Sequence, residues 1–408
     1  MESKVNHTIY TSKWVSAKVK QCFKFRNGKG FSGVLRSIPD EKFCHPVYGG
    51  NGIIGYSDKY LLEEPTIIVG RVGEYCGNVF KTQKRSWVTD NAMMVCGVLL
   101  KDYDIDFWTA MLNSLSFNHY SDSTGQPKIT QGGIGAISFK YPSEKTEQTA
   151  IANILTKVDK VIASVQNSII AAERLKKSLM QNLLTGKMKP DGTFRTSDEF
   201  YIDEKFGKVP VGWEVKRIKD FGEIQTGKTP PTDEPEVFSD KENGFMFITP
   251  GDIDAAKYIK ETERYVSEKG IRYSYVLPKG SVCEVCIGST IGKIGITTEK
   301  CCSNQQITSV VVNNEHDAEY LYYAMLSRRE HFKSVAGINA TPQINKSGYS
   351  KYRVLCPKDK PERIAIAKRI SSVDKTINEQ EQKIKSLERL KKSLMQNLLT
   401  GKVVIDIW

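Results

Sequence analysis

The residues ERLKKSLMQNLLTGK occur twice in this chain, at 173–187 and again without a change at 388–402. The two copies are 215 residues apart. At the same offset, EQTAIA (147–152) corresponds to ERIAIA (362–367), and VDKVI (158–162) corresponds to VDKTI (373–377). An internal repeat of this length predicts that the chain contains two copies of one structural unit.

A weaker likeness extends into the rest of the chain. VGEYCGNV (72–79) corresponds to IGSTIGKI (287–294) at the same offset, and GQPKIT (125–130) corresponds to ATPQIN (340–345). Near the beginning the offset becomes 199, so that FKFRNGKG (23–30) corresponds to GEIQTGKT (222–229). We therefore predict a variable domain followed by a repeated segment, and then a second variable domain followed by the second copy of that segment.

Apolar residues recur every seven positions through both copies of the repeated segment. The first seam comprises Ile151, Val158, Val165, Ala172 and Leu179, with Leu155, Ile162, Ile169 and Leu183 beside them. The second comprises Ile366, Val373, Gln380, Leu387 and Leu394, with Ile370, Ile377, Ile384 and Leu398. This pattern predicts two long helices that pair as an antiparallel coiled coil. Each helix is expected to end at a left-handed glycine, Gly186 or Gly401. Gln380 is either tolerated by partial exposure or fixes the register of pairing.

The variable domains carry alternating apolar runs, such as PTIIVGRVG (65–73) and ITSVVVN (307–313), which predict twisted sheets. Short helices are expected near FWTAML (107–112) and YLYYAML (320–326). We predict an α+β protein with two mixed-sheet domains separated by two long antiparallel coiled-coil helices, as a pseudo-two-fold internal repeat. The predicted segments are a first domain (1–146), a first spacer helix (147–187), a linker (188–208), a second domain (209–361), a second spacer helix (362–402) and a C-terminal tail (403–408).

The chain has 408 residues and a formal charge of +12, which favours a polyanionic partner, nucleic acid before membrane. No stretch has the length and apolar character of a signal peptide or a membrane span, so we expect a cytoplasmic protein without a membrane partner. Nine scattered cysteines suit a reducing compartment. Cys283, Cys286, Cys301 and Cys302 could form a zinc site, but no histidine lies nearby. The alternative is a buried strand, on which Cys283 and Cys286 face opposite sides.

Two glycine motifs resemble nucleotide-binding sites. GEIQTGKT (222–229) matches the phosphate-loop pattern, yet Pro230 and Pro231 follow where that loop opens a helix. We interpret it as a structural turn. Gly50, Gly52 and Gly55 match the dinucleotide fingerprint, but their flanks favour neither a preceding strand nor a following helix, which indicates a glycine-rich loop.

Several loops have the composition of contacts to a nucleic acid. Asn91 in the first domain aligns with Gln306 in the second, beside Gln305, and side-chain amides can read the adenine edge. These residues could equally cap turns. The basic stretch FKTQKRSW (80–87) could equally be a solvated hairpin turn. The candidate DNA-binding residues are Lys81, Lys84, Arg85, Asn91, Lys128, Thr130, Lys228, Lys293, Gln305, Gln306, Gln343 and Lys346.

Taken in order, these motifs resemble the specificity subunit of Type I restriction–modification enzymes. The resemblance rests on the duplicated segment together with YGGNGIIGYSDKY (48–60), VPVGWEVKRIKDFGEIQTGKTP (209–230) and PQINKSGYSKYRVLCP (342–357). It implies two target-recognition domains, each reading one half of a split, asymmetric sequence in double-stranded DNA, and helices that space them. It also implies that ATP, which the phosphate-loop pattern suggests, is used by another chain.

The resemblance further implies partners that carry the chemistry. Two modification subunits would bind S-adenosylmethionine and methylate adenine, and motor–nuclease restriction subunits would use ATP with Mg²⁺. No catalytic residue, cofactor site or metal site is then expected on this chain. Basic residues of the repeated segments are either solvated or face the partners: Arg174, Lys176, Lys177, Arg389, Lys391 and Lys392.

Two other functions remain open at this stage. A coiled-coil scaffold without DNA readout is disfavoured by the basic charge and the amide-rich loops. A self-contained DNA methyltransferase or nuclease is disfavoured because its catalytic motifs are missing from the sequence.

Overall fold

A computed structural model of the protein describes residues 13–122, 127–253, 256–314, 316–337, 342–403 and 405. The chain divides into two compact units, Met1–Asn167 with Glu381–Trp408, and Ser168–Gln380. Each unit therefore combines one variable domain with parts of both repeated segments. The predicted start at residue 1 and most of the predicted tail (403–408) lie outside the described residues.

The first unit is built from short strands and few helices. Its strands are β1 (Trp14–Lys18), β2 (Phe23–Asn27), β3 (His45–Gly49), β4 (Gly52–Ser57), β5 (Ile67–Gly70), β6 (Val79–Lys81), β7 (Trp87–Val88), β8 (Ala92–Val98) and β9 (Ser138–Pro142). Its helices are α1 (Val19–Cys22), α2 (Ile105–Ser114), α3 (Gln131–Gly135) and the beginning of α4 (Lys145–Leu183). The strands form a sheet of order β2-β8-β5-β6, a sheet of order β4-β3-β7 and the pair β1-β9.

The core of the first unit lies around the inner strand β5 of its larger sheet. All four residues of β5 are buried, as expected for a strand covered on both faces. Trp108 of α2 is fully buried, and its ring packs edge-on against Phe23 with the centroids 5.0 Å apart. An aromatic cluster of this kind buries a large apolar area and joins the helix to the sheet.

The second unit contains more strands. They are β10 (Phe200–Asp203), β11 (Gly207–Pro210), β12 (Trp213–Arg217), β13 (Gly222–Thr226), β14 (Phe238–Ser239), β15 (Phe245–Ile248), β16 (Tyr258–Ile259), β17 (Arg264–Val266), β18 (Val282–Val285), β19 (Ile294–Thr297), β20 (Cys301–Ser303), β21 (Ile307–Val312) and β22 (Arg353–Pro357). Its helices are α5 (Glu268–Ile271), α6 (Asp317–Ser327), α7 (Arg329–Val335), α8 (Lys346–Lys351) and the beginning of α9 (Lys360–Leu398).

The sheets of the second unit repeat those of the first and add to them. The larger sheet has the order β13-β21-β18-β19-β16, in which β13, β21, β18 and β19 correspond to β2, β8, β5 and β6 of the first unit. The pair β12-β22 corresponds to β1-β9, and a further sheet has the order β14-β17-β15-β20. Because β16 and β20 pair in parallel with β19 and β15, the sheets are mixed, as predicted.

The long helices pair in antiparallel fashion within each unit. In the second unit, Lys176 Nζ lies 2.5 Å from Asp374 Oδ1, and Leu183 packs in one cluster with Ile366. In the first unit, Lys391 Nζ lies 2.6 Å from Asp159 Oδ1, and Leu398 packs in one cluster with Ile151. Every residue predicted for the seam is buried or half-buried. The predicted coiled-coil helices are therefore present.

Each long helix stops three residues before a glycine with left-handed backbone. Gly186 has a φ of +68° and Gly401 has a φ of +72°. The helices end at Leu183 and Leu398 rather than at the predicted 187 and 402, because the last turn opens into this cap. The predicted caps are confirmed. The stretch predicted as a linker (188–208) holds β10 and the first residues of β11, which form a hairpin.

Two local predictions need correction. Residues Gly222–Thr226 form strand β13, paired with β21, and not a turn, because Ile224 is buried between more exposed neighbours in an alternating pattern. Residues 45–57 form the β3–β4 hairpin rather than an irregular glycine-rich loop, with Gly49 opposite Gly52. The positive φ of Gly52, +91°, allows the tight reversal at its tip.

Candidate nucleic-acid interface

In the second unit, four loops meet at one edge of the larger sheet. They follow β13 (227–229) and β18 (286–293), precede β21 (304–306), and precede α8 (342–346); we call them the second loop cluster. Backbone hydrogen bonds join them: Gly227 N donates to Ile307 O at 2.9 Å, and Cys286 N donates to Gln306 O at 2.8 Å. Gly288 N donates to Pro342 O at 2.9 Å. The loops are thus held by the sheet as one frame.

The first unit repeats this frame with different residues. Its first loop cluster comprises 28–30, 71–78, 89–91 and 127–130. Gly28 N donates to Ala92 O at 2.9 Å and Arg71 N donates to Asn91 O at 2.9 Å. Gly73 N donates to Pro127 O at 3.0 Å. These are the positions equivalent to the bonds of the second loop cluster, so the two backbones are matched while the side chains differ.

Nine of the twelve residues predicted from the sequence fall in these clusters. The second loop cluster holds Lys228, Lys293, Gln305, Gln306, Gln343 and Lys346, and the first holds Asn91, Lys128 and Thr130. All are exposed except Lys293 and Gln306, which are half-buried. The fold brings Lys228 and Gln343 into one cluster, although more than 100 residues separate them in the sequence.

The remaining three predicted residues lie elsewhere in the first unit. Lys81 is opposite Ile67, at the other end of β5 from Gly70 and the first loop cluster. It forms an ion pair with Asp106, while Lys84 pairs with Glu64 at 3.3 Å and Arg85 with Glu63 at 3.6 Å. A phosphate would have to compete with these carboxylates. The fold therefore does not bring this basic stretch to the first loop cluster.

Hydrogen bonds separate the polar candidates into two kinds. Gln306 is engaged within the protein, since Asn304 Nδ2 donates to its Oε1 at 3.0 Å and its Nε2 donates to Ile287 O at 3.5 Å. Thr130 caps α3, because its Oγ1 accepts from Gly133 N at 3.2 Å. Gln305 is exposed, and its Oε1 accepts a hydrogen bond from Thr229 Oγ1 at 2.5 Å.

Two residues of these clusters escaped the sequence analysis. Thr229 lies in the second loop cluster and holds Gln305. Arg71 lies in the first, and its guanidinium donates to Asp90 O at 3.4 Å. The glycine-lysine-threonine triplet was a usable signal for Thr229. Arg71 had none, because its importance depends on a partner in another loop.

Among the described residues we find neither a metal site nor a phosphate-binding loop. No group of three or more His, Cys, Asp or Glu residues among them could hold a metal ion. Burial raises the pKa of the Cys283 thiol to about 12, which opposes the thiolate form that a metal would bind. The backbone N–H groups of Gly227 and Lys228 donate to Ile307 and Ser303 of the sheet, so they do not cradle a phosphate.

The predicted docking residues of the long helices also divide into two kinds. Lys176 and Lys391 are equivalent residues, and each forms an ion pair with the facing helix, as described above. The other four are exposed to solvent: Arg174, Lys177, Arg389 and Lys392. Beside them lie two equivalent leucines with unusually exposed side chains, Leu175 at 51% and Leu390 at 48%.

Across the described residues, no helix combines the length and hydropathy needed to cross a membrane.

Comparison with known proteins identifies the family. The family model named Type I restriction modification DNA specificity domain matches residues 11–174 and 210–389, one match for each variable domain with part of the helix that follows it. The chain belongs to this family. It thus contains two specificity domains, and the resemblance stated from the sequence is confirmed.

Relatives of this family share part or most of the chain. Over 200 residues the chain is 31% identical to the HindI specificity subunit of Haemophilus influenzae, which covers 48% of this chain and 42% of that protein. Over 349 residues it is 25% identical to the MjaVIII specificity subunit of Methanocaldococcus jannaschii, covering 83% of this chain and 76% of that protein.

Two solved structures share the fold. The S subunit of the Type I restriction–modification system of M. genitalium aligns with a TM-score of 0.63 and 15% identity, covering 100% of this chain and 99% of that chain. A chain from a structural study of complex assembly and conformational transition in the type I R-M system aligns with a TM-score of 0.53 and 12% identity, covering 97% and 100%.

Proposed function

We propose that this protein is the DNA-reading subunit of a Type I restriction–modification complex, and that each specificity domain reads one half of a split, asymmetric DNA sequence. The observation that supports this most is the pair of loop clusters. Their backbone hydrogen bonds are equivalent, yet they expose different side chains. Two domains that read different half-sites need different contact residues on a similar backbone, and the two loop clusters have this arrangement.

The charge of the protein supports a nucleic-acid partner. The chain carries 59 Lys and Arg residues against 47 Asp and Glu residues. Lys228 and Lys346 are exposed in the second loop cluster, and Lys128 is exposed in the first. Lysines at these places would contact phosphates and position the duplex, while neighbouring side chains meet the base edges. Binding that depends on phosphate contacts weakens steeply as the salt concentration rises.

The repeated helical segments would dock the other subunits. Identical residues at 173–187 and 388–402 present the same exposed side chains on both long helices, which suits two identical modification subunits. Leu175 and Leu390 would supply apolar contacts, with Arg174, Lys177, Arg389 and Lys392 around them. In this proposal the modification subunits bind S-adenosylmethionine, the restriction subunits use ATP and Mg²⁺, and this chain supplies recognition without catalysis.

A binding titration tests the DNA-reading proposal. The purified chain, alone and with the modification subunit, is titrated with random duplex at two salt concentrations, and bound sequences are selected from a random library. We expect salt-sensitive binding and a selected sequence with two fixed halves and a gap. Binding that does not respond to salt would favour a scaffold, and S-adenosylmethionine binding by the chain alone would favour a self-contained methyltransferase.

A second experiment tests the docking proposal. Leu175→Asp places a charge in one of the two proposed docking surfaces, and Leu390→Asp places it in the other. Because each variant leaves the second surface intact, we expect one modification subunit per chain instead of two, measured as the mass of the assembled complex. Ile202→Asp is the matched control, since Ile202 is 73% exposed in the β10 strand and is not part of either repeated segment. Two bound subunits in either leucine variant would contradict the proposal.

A further inference from the structure

Thr229 and Gln305 stand together in the second loop cluster. Their side chains are joined by the hydrogen bond from Thr229 Oγ1 to Gln305 Oε1, 2.5 Å long. Gln305 is exposed and lies in the turn that precedes β21, while Thr229 lies in the segment that follows β13. In the first loop cluster the same two places hold Asp90 and Gly30, so this pair exists in only one specificity domain.

The residues next to Thr229 restrict its position and backbone conformation. A side chain at Gly227 would come within 2.1 Å of Asn304 O, so glycine is required for the loop to approach the turn of Gln305. Lys228 N donates to Ser303 O at 2.9 Å. Pro230 then restricts Thr229 to extended backbone conformations. The segment GKTPP (227–231) is thus a rigid support for a hydroxyl group.

The hydrogen bond from Thr229 favours the amide nitrogen of Gln305 over its oxygen for contact with a base. A glutamine that uses both its carbonyl oxygen and its amide nitrogen reads adenine, which offers one acceptor and one donor in the major groove. In Gln305 the carbonyl oxygen is held by Thr229, which uses one of its two lone pairs, whereas both N–H groups remain available to DNA. An amide that mainly donates is matched better by the two acceptors of guanine, N7 and O6, or by thymine O4 than by adenine, whose acceptor N7 stands beside a donor.

We infer that Gln305 reads guanine or thymine at one position of the second domain's half-site, and that Thr229 is the positioning residue that turns its preference away from adenine. This inference rests on the proposed function, because it requires the second loop cluster to face DNA. It also assigns a purpose to the residues of the phosphate-loop pattern, whose Gly227 and Lys228 backbone N–H groups donate to the sheet. Gly227 permits the close approach, Lys228 is available to a phosphate, and Thr229 orients the reader.

The test compares sequences selected from a random duplex library by the full chain assembled with its modification subunits. Gln305→Ala is expected to lose about tenfold in preference at one position, the effect of about 1.4 kcal/mol. Thr229→Val is expected to raise the share of adenine at that same position. Thr229→Ser keeps the hydroxyl group and is expected to select the wild-type sequence. The other half-site and the salt dependence of binding should stay unchanged in all three variants.

The outcomes separate the inference from the proposed function. If the wild-type complex selects no sequence at all, the proposed function is overturned. If it selects a split sequence that Gln305→Ala and Thr229→Val leave unchanged, the inference alone is overturned. The inference is also overturned if the wild type prefers adenine where Gln305→Ala loses its preference, or if Thr229→Ser behaves as Thr229→Val does.

Discussion

Glu284 is a carboxylic acid in the core of the second specificity domain, at the place where the first domain has Val69. It lies on β18 and is 1% exposed. Its Oε2 has no hydrogen-bond partner among the described residues. Burial raises the pKa of Glu284 well above its ordinary value of 4.5, although the Arg329 guanidinium opposes this rise. An ionised carboxylate is costly in such surroundings, so the protonated form is favoured in the folded protein.

We expect Glu284 to make the stability of the protein depend on pH. Because its pKa is higher in the folded than in the unfolded chain, its contribution is fully present below pH 4.5 and is lost as pH rises through the folded pKa. The slope approaches about 1.4 kcal/mol per pH unit for one proton. Glu284→Gln should flatten this slope in denaturant unfolding measured at several pH values.

A matched variant controls for the change of charge. Glu223→Gln alters an exposed glutamate on β13 of the same sheet and should leave the slope as it is in the wild type. Parallel stability curves for the wild type and Glu284→Gln would show that Glu284 does not take up a proton on folding.

Lys228 supports a second prediction at this scale. Its side chain is exposed while its backbone is fixed by Ser303, so it can contact a phosphate without reorganising the loop. Lys228→Ala should weaken binding to all DNA sequences alike and reduce the salt slope by about one, with unchanged base preference. The measurement is a titration at several salt concentrations. Lys219→Ala, at the other end of β13, should bind as the wild type does, and a changed base preference in Lys228→Ala would refute a phosphate role.

In each unit, one tryptophan of the specificity domain contacts the beginning of one long helix and the glycine that follows the end of the other. In the second unit, Trp213 Nε1 donates to both oxygens of Glu362 at 3.2 Å. In the first unit, Trp14 Nε1 donates to Glu147 Oε1 at 3.3 Å, which is the equivalent bond. Gly186 packs against Trp213, and Gly401 packs against Trp14. The end of α4 is therefore part of the second unit, and the end of α9 is part of the first.

Substitutions at Gly186, which follows the end of α4, and at Gly207 distinguish backbone strain from steric crowding. Gly186 and Gly207 both have a φ of +68°. A side chain at Gly186 would meet Pro210 Cγ at 2.2 Å, whereas at Gly207 it would meet nothing within 4 Å. We expect Gly207→Ala to cost about 1 kcal/mol from the left-handed backbone and Gly186→Ala about 3 kcal/mol. Denaturant unfolding measures both, and equal losses would show that the contact with Pro210 is unimportant.

The elements differ in how far their sequence predicted them. The long helices were predictable because the seam depends on residues seven apart, which are neighbours in the sequence. Strand β13 was not, since GEIQT carries few apolar residues and is stabilised by pairing with β21, whose residues lie 82 to 90 positions further along the chain. Likewise, the acidic partners of Lys84 and Arg85 come from residues 63 and 64, which the composition of FKTQKRSW alone does not show.

At the scale of the whole molecule, we propose that the long helices also set the gap between the two half-sites. Inserting one heptad into each helix, after Asn167 and after Gln380, lengthens each by about 10 Å and keeps the seam. We expect the gap in the selected DNA sequence to grow by about three base pairs, while both half-sites remain the same. A heptad inserted into one helix alone should instead break the pairing. An unaltered gap with the double insertion would refute the spacing role.

The architecture as a whole was predictable, but the contact residues were only partly so. The exact repeat at 173–187 and 388–402 predicted two equivalent units. Asn91 and Gln306 were aligned correctly, and the structure places both in the turn before the equivalent strands β8 and β21. Their different surroundings could not be read from the alignment. Gln306 is occupied by Asn304 and Ile287, which depends on loops brought together only in the folded chain.

The first unit is discontinuous, since it needs Glu381 and the residues after it to complete its core, where Leu398 and Leu399 are 4% exposed. The second unit is one continuous stretch, Ser168–Gln380. On the ribosome, domains usually complete their folding in the order in which they emerge. Here the order is reversed. The first unit cannot complete its core until the second unit has been synthesised, so part of the apolar surface of its N-terminal portion stays uncovered until then. The nascent N-terminal half is consequently the part of this protein with the longest exposure to aggregation and to chaperones.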